Sequence, residues 1–217
     1  MIKIGTALFE ACEELERERG ISKDVLIASL CDAMAAAYKK HMHVKEAANI
    51  EAILDEQTGE IHIADIKTPD ELVVEFQHSA ISPTDRVARE QFYENMIWVV
   101  DGSINKNNYK RFVKMYQKMS FKFKKDMEIP FSLYSLSDSD FFNQNWLPDK
   151  IPVFFDFRNI QDENMRKITY FHENIWGVFR RYRQLVVIEM EFNYFVKCIE
   201  KNVILDILNT SCDLLKK

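Results

Sequence analysis

Residues 63–79 read "IADIKTPDELVVEFQHS", two apolar strand-like runs flanking a "TPDE" turn signal. Each run carries a carboxylate, Asp65 in the first and Glu75 in the second. Side chains alternate along a strand, so Glu75 shares a face with Val73 and Gln77, and Asp65 shares one with Ile63 and Lys67. Whether these two faces coincide depends on the loop. If Thr68 pairs with Leu72 across three residues, Asp65 lies directly opposite Glu75, about 5 Å away. A two-residue loop puts Asp65 opposite Val74 instead.

Opposed carboxylates repel, and a divalent cation between them turns that cost into a site. Oxygens from Asp65, Glu75 and a nearby backbone carbonyl suit Mg²⁺ or Mn²⁺. Gln77 is placed to orient a water or to add another oxygen. The plainer alternative is a solvated acidic face, against which Ile63 and Val73 on the same surface weigh. His62 and His78 alternate away from this face and read as packed or hydrogen-bonded groups. Lys67 shares the Asp65 face, where it either reaches a phosphate or ends an exposed strand.

Working outward, "SPTD" after the second run supplies Ser82 as N-cap, Pro83 in the first turn and Asp85 behind it, opening a helix to about Asn95. "MIWVVDGS" then reads as a buried strand. Upstream, residues 5–19 have a helical stripe of Leu8, Cys12 and Leu15, and Ser22 caps a second helix over about Lys23–His41. "IEAILD" and "EIHIADIKT" flank "EQTG", a hairpin with Gly59 at its turn. Residues 24–103 therefore spell helix, strand, strand, strand, helix, strand. The last helix should be a crossover between parallel strands. This is the element order of the restriction-endonuclease-like fold, an α/β class with a mixed central sheet.

Downstream, residues 131–150 read as loop and "IPVFFDF" as a buried strand. Residues 175–191 give two strands around "RRYR", and one amphipathic helix follows from about Phe192 to Leu208. The expected architecture is an N-terminal helical segment, 1–45, and a domain over 46–217 that ends in a strand–helix addition.

The net charge of −5 means that any nucleic-acid contact must come from a local patch. One candidate is the run 106–125, which holds Lys110, Arg111, Lys114 and Lys118 among Tyr109, Phe112, Tyr116, Phe121 and Phe123, with no acid until Asp126. On an amphipathic helix the aromatics turn inward and the lysines outward, towards phosphates. Arg180, Arg181 and Arg183 could extend the patch. Arg86, Arg89 and Tyr93 fall on one helix face, where the arginines either pair with Glu90 in solvent, brace the carboxylates or grip phosphate. Four dispersed cysteines read as reduced thiols, and no apolar run is long enough to span a bilayer. A cytoplasmic protein is expected, with no membrane partner. No P-loop or dinucleotide fingerprint points to a nucleotide cofactor.

Two resemblances add to this reading. "EIHIADIKTPDELVVEFQHSAISPTDRVAREQFYENMIWVVDGS", residues 60–103, resembles the nuclease domain of the CoiA-like competence family of the PD-(D/E)xK superfamily. Weaker echoes in "IPVFFDF" and "IWGVFRR" extend it over about residues 46–200. The resemblance implies Asp65 and Glu75 as metal-holding catalytic acids and Gln77 at the usual lysine position. It also implies Mg²⁺-dependent hydrolysis of DNA, in a setting of DNA uptake, recombination or a mobile element, with recombination proteins as companions. It tilts Arg86 and Arg89 towards function. The Trp/His-rich segment that the family carries before its first strand is absent, and the matching region reads "KKHMHVKEAAN". Catalysis on this chain could accordingly be weakened, leaving a DNA-binding or recombination-accessory protein. Secondly, "ELERERGISKDVLIASLCDAMAAAYKKHMHVKEAANIEAILDEQTGEI", within residues about 8–61, resembles the NusA N-terminal domain, which implies contact with RNA polymerase.

Overall fold

The turn after Lys67 sets the start of the main sheet. In a computed structural model of the chain, Thr68 N donates to Leu72 O at 2.9 Å and Leu72 N donates to Thr68 Oγ1 at 3.1 Å. Glu71 N donates to Thr68 O at 3.0 Å, and Glu71 takes the left-handed conformation, with φ of 66°. Pro69 and Asp70 fill the central positions of the turn, and Glu71 completes a three-residue hairpin loop. The structure describes residues 2–3, 6–41, 50–55, 60–93, 95–123, 129–158, 160, 173–181 and 183–211.

The chain begins with a short strand β1 (Ile2–Lys3) and two helices, α1 (Thr6–Arg19) and α2 (Lys23–His41). The hairpin strands β2 (Glu51–Asp55) and β3 (Glu60–Ala64) follow, and with β1 they form a three-stranded sheet in the order β1-β3-β2. The inner face of α2 packs on this sheet through Leu30, Cys31, Met34 and Ala35 against Ala52, Leu54 and Ile63.

The chain bends at Asp65 and passes into a second sheet. Its strands are β4 (Ile66–Lys67), β5 (Val73–Gln77), β6 (Met96–Asp101), β7 (Ser120–Phe123), β8 (Phe131–Leu136), β9 (Val153–Asp156), β10 (Asn174–Arg181) and β11 (Gln184–Glu191). They lie in the order β4-β5-β6-β9-β10-β11-β8-β7. β5, β6 and β9 run parallel and the other neighbours antiparallel. Helix α3 (Pro83–Phe92) joins β5 to β6, capped by Ser82 Oγ, which accepts from Asp85 N at 3.0 Å.

Strands covered on both faces read as nearly continuous apolar runs, as "MIWVV", "VFF" and "LVVIEM" do here. On one face α3 and α4 (Lys106–Tyr116) cover Val73, Trp98, Val100, Phe155, Trp176 and Val187. On the other, α5 (Phe192–Glu200) and α6 (Ile204–Thr210) cover Val74, Ile97, Val99, Phe154, Ile175 and Ile188. Gly177 permits a close approach in this core. A Cβ there would fall 2.5 Å from Phe154 Cε1 and 2.7 Å from Ile188 Cγ2.

The mixed α/β class agrees with the sequence, whereas three expected elements differ. The three strands expected side by side are divided, because the bend at Asp65 leaves β2 and β3 in the smaller sheet. Residues 131–136, expected as loop, form β8 between β11 and β7; the serines in "FSLYSL" hide a strand whose Phe131, Leu133 and Tyr134 are buried. The single C-terminal helix is two, broken at Asn202, which has φ of 50°. The Gly59 turn and the boundary at 45/46 lie outside the described residues. Helix α2 and the first hairpin nonetheless share one apolar contact layer.

Candidate active site

The three-residue loop sets the parity that the sequence leaves open. Ile66 pairs with Val74 and Lys67 with Val73, so Asp65 stands across from Glu75. Phe76 N donates to Asp65 Oδ2 at 2.8 Å, which ties the bend to β5. Glu75 is fully buried against Trp98, its register partner on β6.

Helix α3 lies over the pair. Arg89 Nη1 donates to Glu75 Oε2, and the arginine side chain stays 36% exposed. The other carboxylate oxygen, Glu75 Oε1, is buried without a hydrogen-bond partner, as is the hydroxyl of Tyr93, one helical turn beyond Arg89. Burial pushes Glu75 up to about 7, aided by the charge of Asp65 and opposed by Arg89. Burial raises Asp65 as well, against the Phe76 amide and the charges of Arg89 and His78. Burial raises the Tyr93 phenol, and the Glu75 charge adds to it.

The remaining candidates separate. Gln77, on the Glu75 face, donates from Nε2 to Ser79 O at 2.7 Å and to Ser79 Oγ at 3.2 Å. Arg86 turns away from the pair. It donates to Glu90 Oε1 and Asn145 O, both at 2.6 Å, and stacks over Trp146 at 4.7 Å. Glu90 Oε1 also accepts from Trp98 Nε1 at 3.0 Å, so Arg86 belongs to the packing of α3 on the sheet. His78 stays mostly exposed on the opposite face, 3.7 Å from Asp101, and His62 stacks on Phe92 at 3.9 Å. Lys67 bonds Glu71 at 2.6 Å. On α4 the aromatics turn inward while Lys110, Arg111 and Lys114 are exposed; Lys118, just past the helix, pairs with Asp140 at 2.6 Å. Tyr93, beside the pair, falls on the same helix face as Arg89 in the sequence.

Two carboxylates, one with an unpartnered buried oxygen, are a donor set that fits a hard divalent cation. Among the described residues no group of three or more His, Cys, Asp or Glu side chains is arranged to hold a metal, so further ligands would be backbone oxygen or water.

The family model for the NusA N-terminal domain matches residues 7–121, just over half of the chain. The chain belongs to the NusA N-terminal domain family. The matched span runs from α1 into β7, so this NusA-type chain carries Asp65, Glu75 and Arg89 within the matched region. No curated protein and no solved structure matches the chain. These comparisons give no support to the CoiA-like resemblance of residues 60–103. Among the described residues no helix is long and apolar enough to cross a membrane.

Proposed function

We propose that the chain hydrolyses phosphodiester bonds in DNA with a divalent cation held by Asp65 and Glu75. The observation that carries this reading is the opposition of the two acids across β4 and β5, with Glu75 Oε1 buried and unpartnered. An unsatisfied buried carboxylate oxygen is costly, and a Mg²⁺ or Mn²⁺ ion would satisfy it. The resemblance of residues 60–103 to CoiA-like nucleases supports the same reading. So does the β5–α3–β6 crossover, which a restriction-endonuclease-like core requires.

A divalent cation bound there would activate water and offset charge on the phosphate. Asp65 is fixed for its role by the Phe76 amide. Arg89 holds Glu75 from one side and is exposed enough to reach a phosphate oxygen from the other. For Gln77 to position water, its amide would have to leave Ser79. Lys110, Arg111 and Lys114 would guide DNA towards this face. DNA uptake, recombination or a mobile element is the setting that the resemblance favours.

The test is incubation of the full chain with single-stranded, linear and supercoiled DNA in Mg²⁺, Mn²⁺ or EDTA, beside Asp65→Ala and Glu75→Ala. Cleavage should require metal and fall at least about 100-fold in either variant, since even outer partners of metal ligands cost 10- to 100-fold. DNA binding by folded wild type without cleavage under every condition would replace hydrolysis with an accessory DNA-binding role.

Contact with RNA polymerase is a second reading, favoured by the family match. Exposed Leu15, Ile21 and Val25 on and between α1 and α2 offer an apolar surface for it. Retention of purified polymerase by the immobilised full chain, lost in Val25→Asp, would support this reading.

A further inference from the structure

Behind the hairpin that carries the two acids lies an apolar groove, on the face of the sheet that α5 covers. Side chains alternate along β5, so Val74 and Phe76 point away from Glu75. With Ile66, the register partner of Val74, they form one wall. Phe195, Val196 and Ile199 of α5 form the other. The cavity between them measures about 420 Å³, within the roughly 300–1,000 Å³ of small-molecule sites. Its length along α5, from Phe192 to Ile199, is about 10 Å at 1.5 Å per residue.

The two ends differ in charge. At the Phe192 end the guanidinium of Arg158 lies 3.2 Å from the ring centroid. At the other end stands Glu200, exposed at the last position of α5, where the negative end of the helix dipole adds to its charge. Among the described residues no ion pair holds Glu200, and Lys197 and Lys201 lie outside the lining. Lys67 also lines the groove, but Glu71 at 2.6 Å and Glu51 at 3.8 Å take its ammonium. An apolar slot with one open carboxylate at its end selects a ligand with an apolar body and a single positive charge. We propose that the groove binds a small amphiphilic amine, its tail towards Phe192 and its ammonium at Glu200, and that binding steadies the anchor of Asp65 across the hairpin. The link is Phe76, whose side chain lines the groove while its amide donates to Asp65 Oδ2 at 2.8 Å. Ile66, on the same wall, is the next residue after Asp65. A ligand packed on Ile66 and Phe76 favours the hairpin geometry in which that hydrogen bond is made. The groove stands without any reading of the acids, whereas its consequence for catalysis rests on the pair being a working site.

The experiment titrates the full chain, without metal or DNA, with n-octylamine, n-octanol and n-octanoate, whose shared chain matches the groove in length. Calorimetry should give one saturable site, tightest for the amine and weakest for the carboxylate. Glu200→Gln should weaken the amine about two- to fivefold, the range of an exposed ion pair, and leave octanol unchanged. Val196→Trp fills the groove with its indole and should abolish binding of all three. The link to Asp65 is read by hydrogen exchange. With the amine at about ten times its dissociation constant, the Phe76 amide should exchange about tenfold slower by mass action. The amides of β7, at the far edge of the sheet, should keep their rate. Equal affinity for amine and carboxylate would overturn the ligand class, and undiminished binding by Val196→Trp would overturn the groove as its place. Saturation that leaves Phe76 exchange unchanged would overturn the link to Asp65. DNA cleavage is assayed separately. Amine binding with slowed Phe76 exchange, and no cleavage, would support the site while removing hydrolysis as the activity it serves.

Discussion

A carboxyl group with no exposure and one unpartnered oxygen is destabilising where it sits, and pH changes by how much. Glu75 titrates at about 7 in the folded chain against 4.5 for an ordinary glutamate, chiefly through burial. Below pH 4.5 both folded and unfolded states hold the proton. Between 4.5 and 7 the unfolded state releases it while the folded state keeps it, so stability falls as pH rises through this window. Above 7 the deficit is constant, at about 3 kcal/mol for a displacement of this size. Glu75→Gln carries no such proton. The unfolding free energy of wild type should therefore fall relative to Glu75→Gln by about that amount between pH 4.5 and 7. Urea unfolding of the two proteins across this range measures the difference. A constant difference would mean that Arg89 holds Glu75 ionised throughout. Under the proposed reading the same burial would serve the pair, because an acid that titrates near neutral gives up its proton to a cation at little cost.

The pair exists because of one loop. Pro69 and Asp70 form the turn, Glu71 accepts the left-handed conformation, and the three-residue count sets Asp65 against Glu75. Deleting Ile66 keeps the loop but moves Asp65 to the position opposite Val74, on the other face of the hairpin, since a one-residue slip inverts every side chain. The Phe76 amide then loses its Asp65 partner and should exchange with deuterium at least about tenfold faster, as loss of one hydrogen bond of about 1.4 kcal/mol implies. Unchanged exchange would show that packing, rather than the loop, sets the register. Hydrophobic alternation made each strand here legible from sequence, but it could not count loop residues. Elsewhere the limits differ. β8 was missed because its serines interrupt an apolar run that only burial between β11 and β7 explains. The C-terminal helix break was missed because Asn202 adopts φ of 50° without a glycine to signal it. The division of the strands into two sheets turns on a bend at a single residue, Asp65, whose acidic character was read for chemistry rather than for geometry.

At the scale of the whole molecule, a chain with a net charge of −5 repels DNA except where the fold gathers cations. The Arg89 side of the pair and helix α4 lie on the same face of the eight-stranded sheet, since α3 and α4 cover one common core. Tyr109, Phe112 and Met115 anchor α4 inward, which leaves Lys110, Arg111 and Lys114 outward. Among the described residues no ion pair holds these three side chains as Asp140 holds Lys118. Each phosphate neutralised contributes about 0.9 to the slope of log affinity against log salt on duplex DNA and about 0.7 on single strands. A triple alanine variant at 110, 111 and 114 should therefore flatten that slope by about 2 to 3. It should leave the carboxylates, and hence metal binding, as in wild type. Fluorescence anisotropy with a labelled oligonucleotide over a range of salt concentrations gives the slope directly. If the slope is unchanged, DNA does not run over α4, and the surface beside Arg180 and Arg183 becomes the path to examine. If it flattens while metal affinity holds, the acidic chain has divided its work. One exposed helix would gather the phosphates, and half-buried Asp65 with buried Glu75 would hold the cation.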